Sequence, residues 1–390
     1  MKIALLQDEI YLPSLAGGIK ANRLLLEGFA DRGHECLAQT RALTRSSDGP
    51  RDRSQFFEEL NTRKLDVRKA AADVFSYTHQ DVHVEALDHS TSDERRDYLT
   101  RRLQEFRPDC VLVADDKRRF ILESAIRAVP NGVVPLVQTI MQLPFGPLAV
   151  HESQRQTDLM AKARKIIVIS NYVKQYIETH SSLRAELLHM PVYGPGPFPN
   201  LARFDAGFVT MINPCELKGV SIFLTLARQF PNVEFAALPT WGADDKILSD
   251  LRSLHNVRIL QPADNIETIL AQTRVLLVPS LWPETFGYVV PEAMLRGIPV
   301  LASNIGGLPE AKLGVDYLLP VAPAVRDSNA YVCPPQEIGP WSKALGELLS
   351  DSRRYYCCSR ESREAALKFN SGVTISAFEA LLTELCVTHG

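Results

Sequence analysis

The chain has 390 residues, of which 45% are hydrophobic and 23% charged, and a formal net charge of −3. The length predicts two or three domains, each able to bury its own core. The near-neutral charge excludes a strongly basic nucleic-acid binder, though not a local basic patch.

The N-terminal run is broken at Gln7 and Asp8, too short for a signal peptide. No apolar stretch reaches transmembrane length, so a membrane would be met only from the protein surface. Ile3–Gln7 predicts a first strand, Ala16-Gly17-Gly18 a turn, and Leu24, Leu25, Phe29 and Ala30 a helix ending at Gly33. Residues 44–70 are polar and charge-rich and predict a mobile surface excursion. Cys36–Ala38, Val82–Leu87, Cys110–Ala114, Val133–Val137 and Lys165–Ser170 follow as short strands, with helices over Arg119–Val129 and Tyr172–His180. Several runs are apolar throughout rather than alternating, as in parallel strands covered on both faces.

Met190-Pro191-Val192-Tyr193-Gly194-Pro195-Gly196-Pro197 breaks the pattern, because proline and glycine at this density exclude helix and central strand. Alternation restarts with Phe208–Ile212, Val233–Leu238, Val257–Leu260, Val275–Pro279 and Pro299–Ala302, and the tail reads as three helices. The expected fold is α/β: two doubly wound Rossmann-like domains facing across a cleft, with ligands outside the carboxyl ends of the strands. The boundaries are 1–190 for the first domain, 191–206 for a linker and 207–370 for the second, with a helix at 371–390 packing back on the first. The cysteines Cys36, Cys110, Cys215, Cys333, Cys357, Cys358 and Cys386 are odd in number, scattered and without a CxxC pair. They are read as reduced, hence a cytoplasmic protein.

The stretch from Val278 to Val300 carries most information. A buried strand ends at Pro279, a polar loop holds Glu284, and a helix opens near Tyr288, with Pro291 tolerated in its first turn. A loop before a helix offers amides and a positive dipole end to an anion. Glu292 lies among Val289, Val290, Ala293, Met294 and Leu295, where a carboxylate needs a partner. A ribose diol would serve; solvent exposure or loop capping is the plainer alternative.

Glu284 and Glu292, eight residues apart, form an E-x7-E pattern with Pro-Ser before it and Glu-Ala-Met-x-x-Gly-x-Pro-Val running from its second glutamate, then Ala302-Ser303-Asn304-Ile305-Gly306-Gly307-Leu308-Pro309-Glu310. This resembles the signature of the retaining GT-B glycosyltransferases of family four, the group-one transferases. Gly17-Gly18 and Lys218-Gly219 resemble that family's glycine loop and Lys-Gly. The resemblance implies that Glu284 contacts hydroxyls of the donor sugar and that Phe286, Gly287 and Tyr288 amides hold the diphosphate and sugar. It implies further that Glu292 binds ribose, Lys218 neutralises the leaving diphosphate, and Gly18 admits that diphosphate. Two places depart from the pattern. The family's arginine before the lysine is replaced by Ile212 or Asn213, an uncharged donor. The family's histidine after the strand at Val133–Val137 is missing, and Gln138 and Gln142 occupy that loop. Either His151 moves in or the reaction runs without a histidine, the second being favoured. Gln138 and Gln142 are read equally as donor or acceptor contacts and as structural residues.

No two aspartates lie two positions apart, so the DxD metal motif is absent. The expectation is a metal-independent enzyme with no cofactor, using a nucleotide-diphosphate sugar and a small-molecule or saccharide acceptor, by same-face attack. A nucleotide-sugar epimerase, a phosphorylase on the same architecture and a non-catalytic nucleotide-sugar-binding subunit are the competing readings. The run 115–119 mixes signs and reads as a solvated face. Trp241 reads equally as a base-stacking ring and a loop anchor.

Overall fold

The computed structural model describes all residues except 45–48, 90, 115, 118, 328, 329 and 388–390, together with the side chains of 330, 386 and 387. Cys386, Asp115 and Arg118 therefore lie outside what is described. The chain divides into two units, Met1–Val192 with Val373–Gly390, and Tyr193–Gly372.

The first unit is built on nine strands: β1 (Lys2–Ile10), β2 (Glu35–Arg41), β3 (Arg68–Ala71), β4 (Val74–His79), β5 (Val82–Leu87), β6 (Cys110–Ala114), β7 (Val133–Val137), β8 (Ile166–Val168) and β9 (Ala185–Leu187). Their order is β3-β4-β5-β2-β1-β6-β7-β8-β9. All neighbours from β5 to β9 pair in parallel, and β3-β4-β5 form an antiparallel edge. The apolar runs Ile3–Leu6 and Cys110–Ala114 are buried, as central strands covered on both faces must be. The order reverses between β1 and β6, which makes their carboxyl ends a topological switch point.

The excursion expected at 44–70 instead carries a helix. Asp52 caps a helix at Arg53–Thr62 by accepting from the Gln55 amide, and Phe56 and Leu60 bury their side chains. Two apolar anchors on one helical face outweigh the polar composition of the segment.

The second unit has six parallel strands, β10 (Phe208–Ile212), β11 (Phe235–Leu238), β12 (Val257–Ile259), β13 (Thr273–Val278), β14 (Val300–Ser303) and β15 (Leu318–Leu319), ordered β12-β11-β10-β13-β14-β15. A hairpin of β16 (Val325–Asp327) and β17 (Ala330–Val332) follows. The helices Gly339–Ser350 and Ser352–Asn370 bury Trp341 and Tyr355, and Asp351 caps the second of them. Here the switch point lies between β10 and β13. Among the described residues no helix is long and apolar enough to cross a membrane.

Candidate active site

At the switch point of the second unit, backbone amides and one serine hydroxyl tie two loops together. After β10 the chain turns through Glu216–Lys218 and Gly219 into the helix Val220–Gln229. After β13 it runs from Pro279 to Gly287 into the helix Val289–Leu295. The Leu217 carbonyl accepts from the amides of Leu281 (2.9 Å) and Trp282 (3.1 Å) and from Ser280 Oγ (3.3 Å). Gly219 has φ +78°, and a Cβ there would lie 1.9 Å from the Pro279 carbonyl oxygen. Glycine is thus required on both counts.

This lacing brings together two charges 66 positions apart. Lys218 Nζ donates to Glu284 Oε1, and Ser280 Oγ donates to the same oxygen at 2.7 Å. The side chains keep 25% and 14% of their exposure, so both remain within reach of a ligand. The Glu284 backbone is fixed from the other side: its carbonyl accepts the Gly307 amide at 2.6 Å. Cβ atoms at Gly306 and Gly307 would come within 2.6 Å and 2.5 Å of the Glu284 and Thr285 carbonyl oxygens. The glycine pair after β14 therefore shapes the loop that carries Glu284.

Gly287 has φ +97°, and its carbonyl accepts the Val290 amide at 2.9 Å. Phe286 is buried and stacks on Phe369 at 5.8 Å, while Tyr288 stands 6.0 Å from Phe286. Glu292 is 8% exposed; its carbonyl accepts from Arg296, whose other terminal nitrogen binds Glu267 at 2.8 Å. Asn213 takes a positive φ of +57° and its Oδ1 accepts the Gly242 amide at 3.0 Å. Its carbonyl end is thus committed to a loop, leaving the amide nitrogen as the group for a ligand. Trp241 beside that loop is half exposed.

Tyr193, read from sequence as linker, belongs to this unit. Among the described residues its buried hydroxyl has no hydrogen-bond partner, and burial, then the Glu292 carboxylate, push its pKa well above the phenol range. Only its placement among prolines and glycines marks it in the sequence, and that signal points to a turn.

In the first unit, Gly18 opens the helix Gly17–Asp31. A Cβ there would sit at ordinary contact, 3.5 Å from Gln138 Oε1, so the protein itself leaves room for a larger residue. Gln138 donates to Asn22 Oδ1, Asn22 to Gln7 Oε1 at 3.0 Å, and Gln7 to the Ile10 carbonyl at 2.7 Å. This buried chain of amides fixes Gln138. Gln138 and Gln142 both line a pocket at the ends of β6 and β7. The His151 side chain is exposed and does not line it, although its carbonyl accepts from Arg119.

Residues 203–351 match the family model of the group 1 glycosyl transferases. A D-inositol 3-phosphate glycosyltransferase of Mycolicibacterium smegmatis is 31% identical over 268 residues, 61% of this chain and 56% of that protein. An alpha-1,3/1,6-mannosyltransferase of Neurospora crassa is 33% identical over 92 residues, 24% of this chain and 17% of that protein. The chain thus spans about half or less of the length of these curated relatives. In fold it is similar to sucrose-phosphate synthase from Thermosynechococcus elongatus, with TM-score 0.68 and 16% identity over 99% of this chain and 98% of that one. It is also similar to the Anabaena HepE protein in complex with UDP and glucose, with TM-score 0.67 and 16% identity over 100% of both chains. Over residues 203–351, which hold the E-x7-E loop and the Lys-Gly turn, the chain is similar to the group 1 glycosyl transferases, and its two doubly wound units show the GT-B fold.

Proposed function

We propose that this chain transfers a sugar from a nucleoside-diphosphate donor to an acceptor hydroxyl, with retention and without a bound metal. The observation that carries the reading is the contact of Lys218 with Glu284 at the switch point of the second unit, on loops that glycine and Leu217 hold in register. Glu284 neutralises Lys218. A diphosphate would take the ammonium over, and Glu284 would turn to the sugar hydroxyls. The Gly287 amide, which donates to no acceptor among the described residues, would hold phosphate together with the Phe286 and Tyr288 backbone. Buried Glu292 would accept from the ribose hydroxyls, and the Asn213 amide nitrogen would border the phosphates.

In the step itself, the bond from the anomeric carbon to the phosphate oxygen breaks and the acceptor oxygen bonds to the same face. A phosphate oxygen takes the acceptor's proton. Lys218 offsets charge on the departing diphosphate and Glu284 favours the cationic sugar, both acting on charge that develops in the transition state. Gln138 and Gln142 would serve the acceptor side. Exposed His151 takes no part in this scheme.

The test is Glu284→Gln, which keeps size and removes charge. The expected result is turnover reduced about 100-fold or more, with nucleoside-diphosphate affinity and melting temperature nearly unchanged. Near-normal turnover with a lowered melting temperature would make Glu284 a structural cap. Mass spectrometry of products from UDP-, GDP-, ADP- and TDP-sugars identifies the donor in the same experiment.

A further inference from the structure

Among the described residues, the pocket at the carboxyl ends of β6 and β7 is lined by one cation and one acid, Arg119 and Asp116, with amides (Gln138, Gln142, Gln156) and apolar side chains. The acid is already used. Asp116 Oδ1 accepts the amides of Phe120 and Ile121, both at 3.1 Å, and Oδ2 accepts the amide of Leu122 at 3.0 Å, which caps the helix Ile121–Ala128. Burial pushes its carboxyl pKa up while the three amides pull it down, and both carboxyl oxygens are engaged by the helix rather than by a cation.

The cation is not used in that way. Neighbouring basic groups have carboxylate partners: Arg95 and Arg41 with Asp8, Lys117 with Glu9, and Arg155 with Glu123. Among the described residues Arg119 has none; its guanidinium meets only the neutral carbonyl of His151. Its backbone is held in the left-handed region at φ +59°, with its carbonyl accepting from Gln156 Nε2 at 3.1 Å. A non-glycine residue adopts that conformation at a cost, and such residues persist where surrounding contacts over-determine them. Here the contacts that do so are themselves pocket groups. A guanidinium fork with no carboxylate partner among the described residues, in a pocket lined mainly by amides and apolar side chains, matches a planar or tetrahedral oxyanion.

We infer that the acceptor carries an oxyanion, a phosphate monoester or a carboxylate, which Arg119 receives while Gln142 and Gln156 hold its hydroxyls. This rests on reading the pocket as the acceptor side of the transferase proposed above.

The test begins with inorganic phosphate as the probe, titrated calorimetrically into the full chain carrying Lys218→Gln, which removes the competing cation of the second unit. Adding Arg119→Gln should weaken phosphate binding about 10- to 100-fold, and Arg119→Lys should restore part of it. Melting temperatures within a degree or two establish that the variants fold. Equal phosphate affinity with and without Arg119 overturns the inference. A transfer assay on otherwise wild-type protein then compares hexose monophosphates, uronic acids and neutral hexoses. Preference for either anionic class, with Arg119→Gln raising KM for it and leaving nucleoside-diphosphate affinity unchanged, supports the inference and tells phosphate from carboxylate. A neutral hexose as best acceptor, with KM indifferent to Arg119, overturns it. If no nucleoside diphosphate binds the wild-type chain, the donor reading fails, and the phosphate titration still decides whether Arg119 is an anion site.

Discussion

Replacing Lys312 with methionine should change how stability depends on pH. Lys312 is fully buried, one residue beyond the short helix Leu308–Ala311, and its Nζ donates to the Val300 carbonyl at 2.8 Å. Burial lowers its pKa from 10.5 to about 8. Below pH 8 the lysine is protonated in both states, and the folded state bears the full penalty of a buried ammonium. That penalty shrinks as pH rises from 8 to 10.5 and vanishes above. At about 1.4 kcal/mol per decade it amounts to about 3 kcal/mol, of which about 2 kcal/mol is relieved between pH 7 and pH 9.5. Methionine fills much the same space but leaves the Val300 carbonyl without its donor, a pH-independent loss of about 1–3 kcal/mol. The variant should therefore match or modestly exceed the wild type at pH 7 and fall behind it by about 2 kcal/mol more at pH 9.5. Urea unfolding of both proteins at the two pH values measures this difference, provided m-values agree. Parallel pH profiles would show that Lys312 keeps its ordinary pKa and that burial does not disfavour its charge.

Glu292→Ala should weaken nucleoside-diphosphate binding by about one to two decades, the worth of a charge-assisted hydrogen bond; calorimetric affinity equal to wild type in a folded variant would remove the ribose assignment. Gly219→Ala must move the Pro279 carbonyl by more than 1 Å from the 1.9 Å approach, and should lower nucleotide affinity together with a loss of several kcal/mol in stability; an unchanged melting temperature would contradict the laced-loop geometry. Turnover should survive EDTA. Activity abolished by chelation and regained only with added Mg²⁺ or Mn²⁺ would refute a leaving group offset by Lys218 alone, whereas partial stimulation would reflect binding of the metal to the free diphosphate.

Apart from the short edge strands β9 and β15, the parallel strands were readable because buried runs such as Val111-Leu112-Val113 and Leu276-Leu277 hold no polar residue, and each is followed by a helix or a turn. The antiparallel edge β3-β4 and the hairpin β16-β17 were missed. β3, β16 and β17 are short, and Arg68, Lys69, Val325 and Val332 are exposed, so hydrophobic period gives no signal in those three strands. Lys218, Glu284 and Glu292 were nameable from motif spacing, but their mutual geometry was not. Leu217 contributes only a carbonyl, and its three donors come from residues more than 60 positions away. Lys312 and Arg119 illustrate a second limit. A lysine after a short helix and an arginine in a mixed-charge run both read as solvated, and only the surrounding packing shows one buried and the other, among the described residues, without a carboxylate partner.

The first unit is discontinuous in sequence, since its last segment arrives only after the whole of Tyr193–Gly372. That segment includes the helix Ile375–Val387, where Ile375 covers Gly28 and Glu379 receives Arg32 and His34. A ribosome therefore releases the second unit as one uninterrupted stretch before it releases the piece that covers the Gly28 face of the first. During synthesis the earlier-made unit waits, with that face of its helix Gly17–Asp31 bare, while the later-made one can already close its core. Vectorial folding would run opposite to the order of translation, and a stalled chain lacking the last helix would present Gly28 and its apolar surroundings to chaperones.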